Sequence, residues 1–244
     1  MNKAIFITVR TGSTRLPKKC LLEINGKKNI EFLIGRVKKS KKADIIVLCT
    51  TILPEDDVLV DIANRLEIES FRGSVKDKLE RWKGATQKYN VDFFVTVDGD
   101  DLFCEPELID LAFEQYERNN PDFIEEKPGV NVSTGAFTYG IKVKALNKVC
   151  ETKTSTNTEM IDKYFQNLPF KIEELENIPE ELKRPEIRMT LDYEEDFLFF
   201  KTIIEAFEER EFNLYDVIDY LDKNPLVIEI NKSCQEKYLE NQKK

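Results

Sequence analysis

The sequence contains no histidine. A Ser-His-Asp or Cys-His nucleophile cannot be assembled from it. Nor can a zinc, copper or non-haem iron site that relies on imidazole. Proton and metal chemistry must therefore run on carboxylates, Lys, Arg, Cys, Tyr or a bound ion. Glycine and proline are scarce, nine of each in 244 residues, too few for a low-complexity chain. The five cysteines, Cys20, Cys49, Cys104, Cys150 and Cys234, are odd in number, widely spaced and free of any C-x-x-C pair. That pattern reads as reduced thiols in a cytoplasmic protein and not as a disulfide frame. No apolar run approaches a membrane span, and the short apolar stretch at residues 4–9 is too brief for the core of a leader. Acids outnumber bases, 46 against 37, for a net charge of −9. This argues against a nucleic-acid coat, which needs a basic face. No nucleic-acid and no membrane partner is expected.

What is present is an alternation. Residues 4–9, 44–51, 68–71 and 91–97 are apolar, β-branched runs of strand length. Between the first two, Ile30, Phe32, Leu33, Ile34 and Val37 recur at helical spacing. Pro54-Glu-Asp-Asp57 opens a second helix with proline and acids in its first turn, and Val58, Leu59, Ile62, Ala63 and Leu66 share its apolar face. Residues 75–89 and 106–118 read as two more. Continuous apolar strands imply burial on both faces, so the first 118 residues predict a doubly wound, three-layer α/β/α parallel sheet. Such sheets bind ligands outside the carboxyl ends of their strands, here loops 10–19, 50–54, 72–77 and 98–105. Beyond residue 119 the pattern breaks. A loop is expected over 120–129, an extended segment over 132–143, and a helix capped by 154–158 and running to about residue 165. A strand-like 188–192, helices over 193–208 and 214–221, and a charged, fraying tail over 232–244 follow. One domain spans 1–244, with about 120–185 read as an inserted subdomain.

Arg10-Thr-Gly-Ser-Thr-Arg-Leu-Pro-Lys-Lys19 gathers four cations around one glycine directly after the first strand. Backbone N–H groups near Gly12 can wrap a phosphate, because glycine permits close approach. Arg10, Arg15 and Lys19 can neutralise triphosphate charge, Arg by planar two-point contact and Lys as a point charge. The loop is neither a Walker A nor a dinucleotide G-x-G-x-x-G. A solvated basic loop is the plainer alternative; the acidic protein, the strand-end position and the central Gly-Ser favour phosphate binding.

Val97-Asp-Gly-Asp-Asp101 closes the fourth strand. Three carboxylates in four residues are costly to hold together without a cation, and hard oxygen donors without imidazole suit Mg²⁺ or Mn²⁺. The alternative is an Asp-rich turn in solvent. In Leu191-Asp-Tyr-Glu-Glu-Asp196, Asp192 reads equally as a metal ligand or as the N-cap of the following helix, with Glu195 at capping-box spacing. At Arg72-Gly-Ser74, Ser74 reads as a helix N-cap, with Asp77 and Lys78 in the first turn near a bound base or ribose. Trp82, the single tryptophan, reads as core. The cysteines read as packing residues, with Cys20 set apart by its neighbours Lys18 and Lys19.

The loop at 10–19 resembles the R-x-G-S-T-R-L-P-x-K signature of the cytidylyltransferases grouped with the spore-coat polysaccharide protein SpsF, relatives of the CMP-Kdo and CMP-sialic acid synthetases. The likeness continues through Pro54-Glu-Asp-Asp57, Phe71-Arg-Gly-Ser74, Val97-Asp-Gly-Asp100, Glu105-Pro-Glu-Leu108 and Leu191-Asp-Tyr-Glu-Glu-Asp-Phe197. The resemblance implies a Rossmann-like nucleotidyltransferase fold of the GT-A type. It implies that CMP passes from CTP to a sugar hydroxyl, with Mg²⁺ (or Mn²⁺) as cofactor and pyrophosphate released. On this mapping the nucleotide is held by Arg10, Thr11, Gly12, Ser13, Arg15 and Lys19, with Arg72, Gly73, Ser74, Asp77 and Asp98. Asp100 and Asp192 bind the metal, and Arg15, Lys19 and Asp100 are the catalytic set. The family habit assigns the acceptor site and homodimer contacts to 120–185. Two residues depart from the pattern: Lys18, where a small residue is common, and Leu102, where a proline usually follows the Gly-Asp pair. The alternatives are a glycosyltransferase of the same fold, a guanylyltransferase and a non-catalytic nucleotide-binding protein.

Overall fold

The computed structural model describes residues 1–126, 130–158, 160–208 and 210–242. The chain opens with β1 (Lys3–Thr8), a two-stranded ribbon of β2 (Glu23–Ile24) and β3 (Lys27–Lys28), and α1 (Asn29–Val37). Three further β-α units follow in turn: β4 (Ile45–Thr51) and α2 (Asp57–Arg65), β5 (Glu69–Gly73) and α3 (Lys78–Tyr89), and β6 (Phe93–Asp98) and α4 (Pro106–Asn119). The second half adds β7 (Phe123–Glu125), β8 (Tyr139–Lys142), α5 (Val143–Thr152), α6 (Asp162–Gln166), β9 (Ile172–Glu174), α7 (Glu194–Ala206), α8 (Leu214–Lys223) and α9 (Lys232–Gln242).

Seven strands form one sheet in the order β5-β4-β1-β6-β8-β7-β9. β5, β4, β1 and β6 pair in parallel, β8 runs antiparallel to β6 and β7, and β7 pairs in parallel with β9. The expected α/β/α sandwich is therefore present. β1 alternates its side chains between two cores: Ile5 and Ile7 pack with α1, α2, α4, α7 and α8, whereas Ala4 and Phe6 pack with α3, α5 and α6. Burial on both faces explains the uninterrupted apolar runs of β1, β4 and β6. Trp82 is fully buried as expected, its indole N–H donating to Thr8 Oγ1 at 2.8 Å. No helix of the described residues is long and apolar enough to cross a membrane.

Several expectations need correction. The first α3 turn starts at Lys78, and its N-cap is Asp77, which accepts from the Glu80 N–H; Ser74 Oγ instead accepts from the Asp77 N–H one turn earlier. The loop expected over 120–129 contains β7, and residues 127–129 lie outside the described residues. Of the extended segment over 132–143, only Tyr139–Lys142 is strand. The helix expected from 154–158 forms at Asp162–Gln166; residue 159 lies outside the described residues. The segment 188–192 makes a single bridge, Thr134 with Arg188, instead of a strand. The tail forms α9, anchored by fully buried Cys234; residues 243 and 244 lie outside the described residues.

That Thr134–Arg188 bridge depends on a glycine. Gly135 has φ +90°, and a Cβ there would lie 2.3 Å from the Met189 carbonyl oxygen and 2.8 Å from Asp101 Oδ1. Backbone cannot retreat as a flexible side chain can. Gly135→Ala is expected to lower unfolding stability by about 2–3 kcal/mol, read as a fall in the urea midpoint; an unchanged midpoint would contradict this packing.

Candidate functional site

The chain runs β1, β4, β5 toward one edge and then returns to place β6 on the other side of β1. The switch in strand order therefore falls between β1 and β6, where a crevice opens at the strands' carboxyl ends. The loop after β1 carries the cations, and the turn after β6 carries the acids. Gly99 lets the two meet: its N–H donates to the Thr8 carbonyl at 2.8 Å, and a Cβ there would lie 2.7 Å from Val9. A third segment of the chain enters through Leu191, whose N–H donates to the Asp100 carbonyl at 2.9 Å.

Lys19 stands at the centre. Its Nζ donates to Asp100 Oδ2 at 2.5 Å, to Asp192 Oδ1 at 3.0 Å and to the Leu191 carbonyl at 2.7 Å. Arg15 Nη2 donates to the same Asp192 Oδ1 at 2.5 Å. Burial works against the Lys19 ammonium, but Asp100 and Asp192 outweigh it and raise its pKa. Burial likewise opposes the Asp192 carboxylate, and Lys19, Arg15 and Arg188 more than compensate, so its pKa is lowered. Both ions are thus charged near neutrality.

The three carboxylates of the β6 turn separate into different roles. Asp98 pairs with Lys78 Nζ at 3.2 Å, and Asp100 pairs with Lys19. Asp101 turns inward and is buried; burial, with Asp100 and Asp98 nearby, pushes its carboxyl well above the usual range. It is a buried acid and not a site ligand.

The remaining expected residues spread around this centre. Gly12 and Ser13 sit in the exposed and half-buried part of the loop, and Arg10 is exposed beside them. Thr11 faces the other way: its N–H and hydroxyl both donate to buried Asp56, at 2.8 and 2.7 Å, and Thr51 Oγ1 donates to the same carboxylate. It anchors the loop from beneath. Arg72 binds the end of β4, donating to the Thr51 and Leu53 carbonyls at 3.0 and 2.8 Å. Gly73 packs tightly against Phe71 and Arg81. Asp77 is buried in an ion pair with Lys153. These last contacts hold the β5–α3 turn together, and Lys78 is its side chain that reaches the β6 turn. Cys20 is buried, which pushes its thiol up to about 11, so the thiol stays protonated and carries no nucleophile.

The cap reading of Asp192 is excluded by its neighbour. Asp196, and not Glu195, closes the α7 start: its Oδ2 accepts from the N–H groups of Asp192 and Tyr193 at 2.9 and 3.0 Å. Asp192 is therefore not the cap, and its carboxylate faces Asp100 across the Lys19 ammonium. Two hard oxygen donors converging on one cation fit a divalent ion of the Mg²⁺ type, which takes one or two carboxylates and completes its shell with phosphates and water. Among the described residues, no group of three or more acidic or cysteine side chains encloses a metal position.

A family comparison decides what this arrangement belongs to. The sequence profile of the cytidylyltransferases matches residues 4–244. The chain belongs to the cytidylyltransferase family. An uncharacterised protein of Methanocaldococcus jannaschii is 37% identical over 234 residues, 95% of each chain. The spore coat polysaccharide biosynthesis protein SpsF of Bacillus subtilis is 26% identical over 92% of this chain and 96% of its own. A cytidylyltransferase structure from Leptospira borgpetersenii superposes with a TM-score of 0.85 at 28% identity, covering 93% of this chain and 97% of that one. The resemblance read from the loop at 10–19 thus holds over the full matched length, and this cytidylyltransferase is a nucleotidyltransferase by family and fold.

Its two departures have different physical origins. Lys18 has φ 53°, in the left-handed region where glycine is the least strained residue. Leu102 is fully buried core. Three side chains packed around this centre escaped the sequence reading: Arg188, which reaches Asp192 Oδ2 at 3.1 Å, and the rings of Tyr193 and Tyr238, whose centroids lie 5.7 and 5.3 Å from the Arg15 guanidinium. Arg188 is the cation opening the strand-like run before the acidic cluster, a usable signal. Tyr238 lies in a charged tail with no signal of its own.

Proposed function

We propose that the protein transfers CMP from CTP to a sugar or related small acceptor and releases pyrophosphate, using Mg²⁺ or Mn²⁺. The observation that carries this reading is the Lys19 ammonium set between Asp100 and Asp192 at the β1/β6 switch point. The acceptor hydroxyl oxygen bonds to the α-phosphorus and gives up its proton to solvent as the bond to the oxygen bridging to the β-phosphate breaks, and that bridging oxygen leaves with pyrophosphate. Arg15 and Lys19 bind the leaving pyrophosphate and offset the charge that develops on it. Gly12 and Ser13 offer backbone N–H groups to the phosphates, with Arg10 at the rim. Asp98, through Lys78, and the Arg72–Asp77 turn border the nucleoside. Asp100 and Asp192 would hold the divalent ion, which when bound supplies charge neutralisation at the α-phosphate and acidifies the acceptor hydroxyl. The rest is positioning: the loop anchored by Asp56 and Thr11 keeps nucleotide and acceptor aligned for in-line attack.

Similarity to a protein of spore coat polysaccharide biosynthesis supports a cell-surface glycan role, with the reaction in the cytoplasm. The segment 120–185 is assigned the acceptor side and homodimer contacts; it carries the exposed apolar residues Val130 and Met160. A panel of CTP, GTP, UTP and ATP against pooled sugar acceptors tests the reading. Pyrophosphate release is expected with CTP, only when acceptor and divalent ion are both present. Nucleoside diphosphate release from a nucleotide sugar, or no turnover with any triphosphate, would overturn it. A monomer by light scattering would remove the dimer.

A further inference from the structure

Resting on that reading, we propose that Arg188 is a positioning residue that divides the two oxygens of Asp192 between scaffold and site. Arg188 is 5% exposed. Its Nη2 donates to Asp192 Oδ2 at 3.1 Å and to Asp196 Oδ2 at 3.3 Å, its Nε to Asp196 Oδ1 at 3.0 Å, and its Nη1 to Gln235 Oε1 at 2.7 Å. The other Asp192 oxygen, Oδ1, is left to Arg15 and Lys19. One oxygen is held back and one is presented.

The support behind Arg188 is itself fixed. Asp196 is fully buried and accepts from the Asp192 and Tyr193 N–H groups and from Asn231 Nδ2. Asn231 Nδ2 also donates to the Arg188 carbonyl at 3.1 Å. The backbone on either side of Arg188 is held to Thr134, which donates to the Ile187 carbonyl at 3.2 Å and accepts from the Met189 N–H at 2.8 Å. Rotation of the Asp192 carboxylate would break the Arg188 bond on one side and the Lys19 and Arg15 bonds on the other. The planar guanidinium matters, since it spans Asp192 and Asp196 at once; an ammonium is a single point of charge. A structural ion pair would be complete with Asp196 alone. The added bond to Asp192 links this network to the oxygen that faces Lys19 and Asp100.

The test compares wild type with Arg188→Gln and Arg188→Lys. It uses Mn²⁺ binding by calorimetry in the presence of CTP, CTP binding in EDTA, and far-UV circular dichroism. Residues that orient a metal ligand typically change metal affinity by about 10–100-fold, and Arg188→Gln is expected to weaken Mn²⁺ binding by that amount. Its CTP affinity in EDTA is expected to change by much less than its Mn²⁺ affinity, because Arg15 and Lys19 remain to meet the phosphates when Asp192 turns, whereas a displaced fold would weaken both by a similar factor. Arg188→Lys is expected to fall between the two. Wild-type Mn²⁺ affinity in either folded variant overturns the inference. Should Arg188→Gln fail to fold, Arg188→Lys decides the matter by the same criterion. Failure of the wild type to bind Mn²⁺ with CTP counts against the proposed function itself, and so is distinguishable from failure of the Arg188 role.

Discussion

Replacing Asp100 with Asn is expected to lower kcat for pyrophosphate release by at least about 10²–10³, the usual loss when one charged group of such a site is removed, with the fold intact. The substitution keeps the shape and the hydrogen-bonding length of the side chain and removes one negative charge. Asp100 is 22% exposed at its side chain and lies at a strand end, so little packing depends on it. Its neighbours cannot substitute. Asp98 is engaged with Lys78. Asp101 is directed inward against the 133–136 segment and favours its neutral form because it is buried beside Asp100 and Asp98. Three adjacent acids therefore provide one carboxylate to the Lys19 centre. A modestly lowered melting temperature, since Lys19 keeps Asp192 and the Leu191 carbonyl, together with the loss of turnover, is the expected pair of results. Wild-type kcat in Asp100→Asn would remove Asp100 from the catalytic set and with it the central geometric argument for nucleotidyl transfer.

That partition among the acids marks where the sequence stops being legible. The β-α alternation could be read because β1, β4 and β6 are buried on both faces and must be apolar throughout. The cationic loop could be read because its position after β1 is fixed by that alternation. Which of Asp98, Asp100 and Asp101 faces the crevice could be read only through the family resemblance, because the physical answer depends on Gly135 and Met189, which lie far along the chain and pack against Asp101. The α3 cap was misread by three residues because Ser74 and Asp77 both have capping chemistry, and only the turn geometry ranks them. The rank of Asp192 against Asp196 is similar: both precede or open α7, and the one that takes the backbone N–H groups frees the other for the site. The segment 120–185 was opaque because its strands are three or four residues long and complete an existing sheet. Strands that short carry too few residues for a periodic signal.

Lys19→Met is expected to have two effects, on turnover and on stability. Turnover with CTP should fall by about 10²–10³, since the variant lacks a charge that meets the leaving pyrophosphate. Stability should fall as well, because Asp100 and Asp192 then face each other without the ammonium between them. Removing one partner of a buried ion pair costs about 3–5 kcal/mol. The lower end applies here, because Asp100 keeps some solvent and Asp192 keeps Arg15 and Arg188. The pH dependence follows from the direction of the Asp192 shift. In the wild type its carboxyl is held below the ordinary value, with Lys19 the leading favourable cause. A depressed carboxyl contributes stability that is present above its unfolded pKa and is lost as pH falls through the folded value. Without Lys19 that depression shrinks, so the gap between variant and wild type should be widest near neutrality and narrow in acid. Millimolar Mg²⁺ should raise the melting temperature of the variant more than that of the wild type, because a ligand stabilises a folded protein in proportion to its occupancy and the two carboxylates no longer hold the Lys19 ammonium. Thermal melts at neutral and acidic pH, with and without Mg²⁺, read all of this in one series. A variant that melts like the wild type at neutral pH and gains nothing extra from Mg²⁺ would show that Lys19 is not what holds the two carboxylates together.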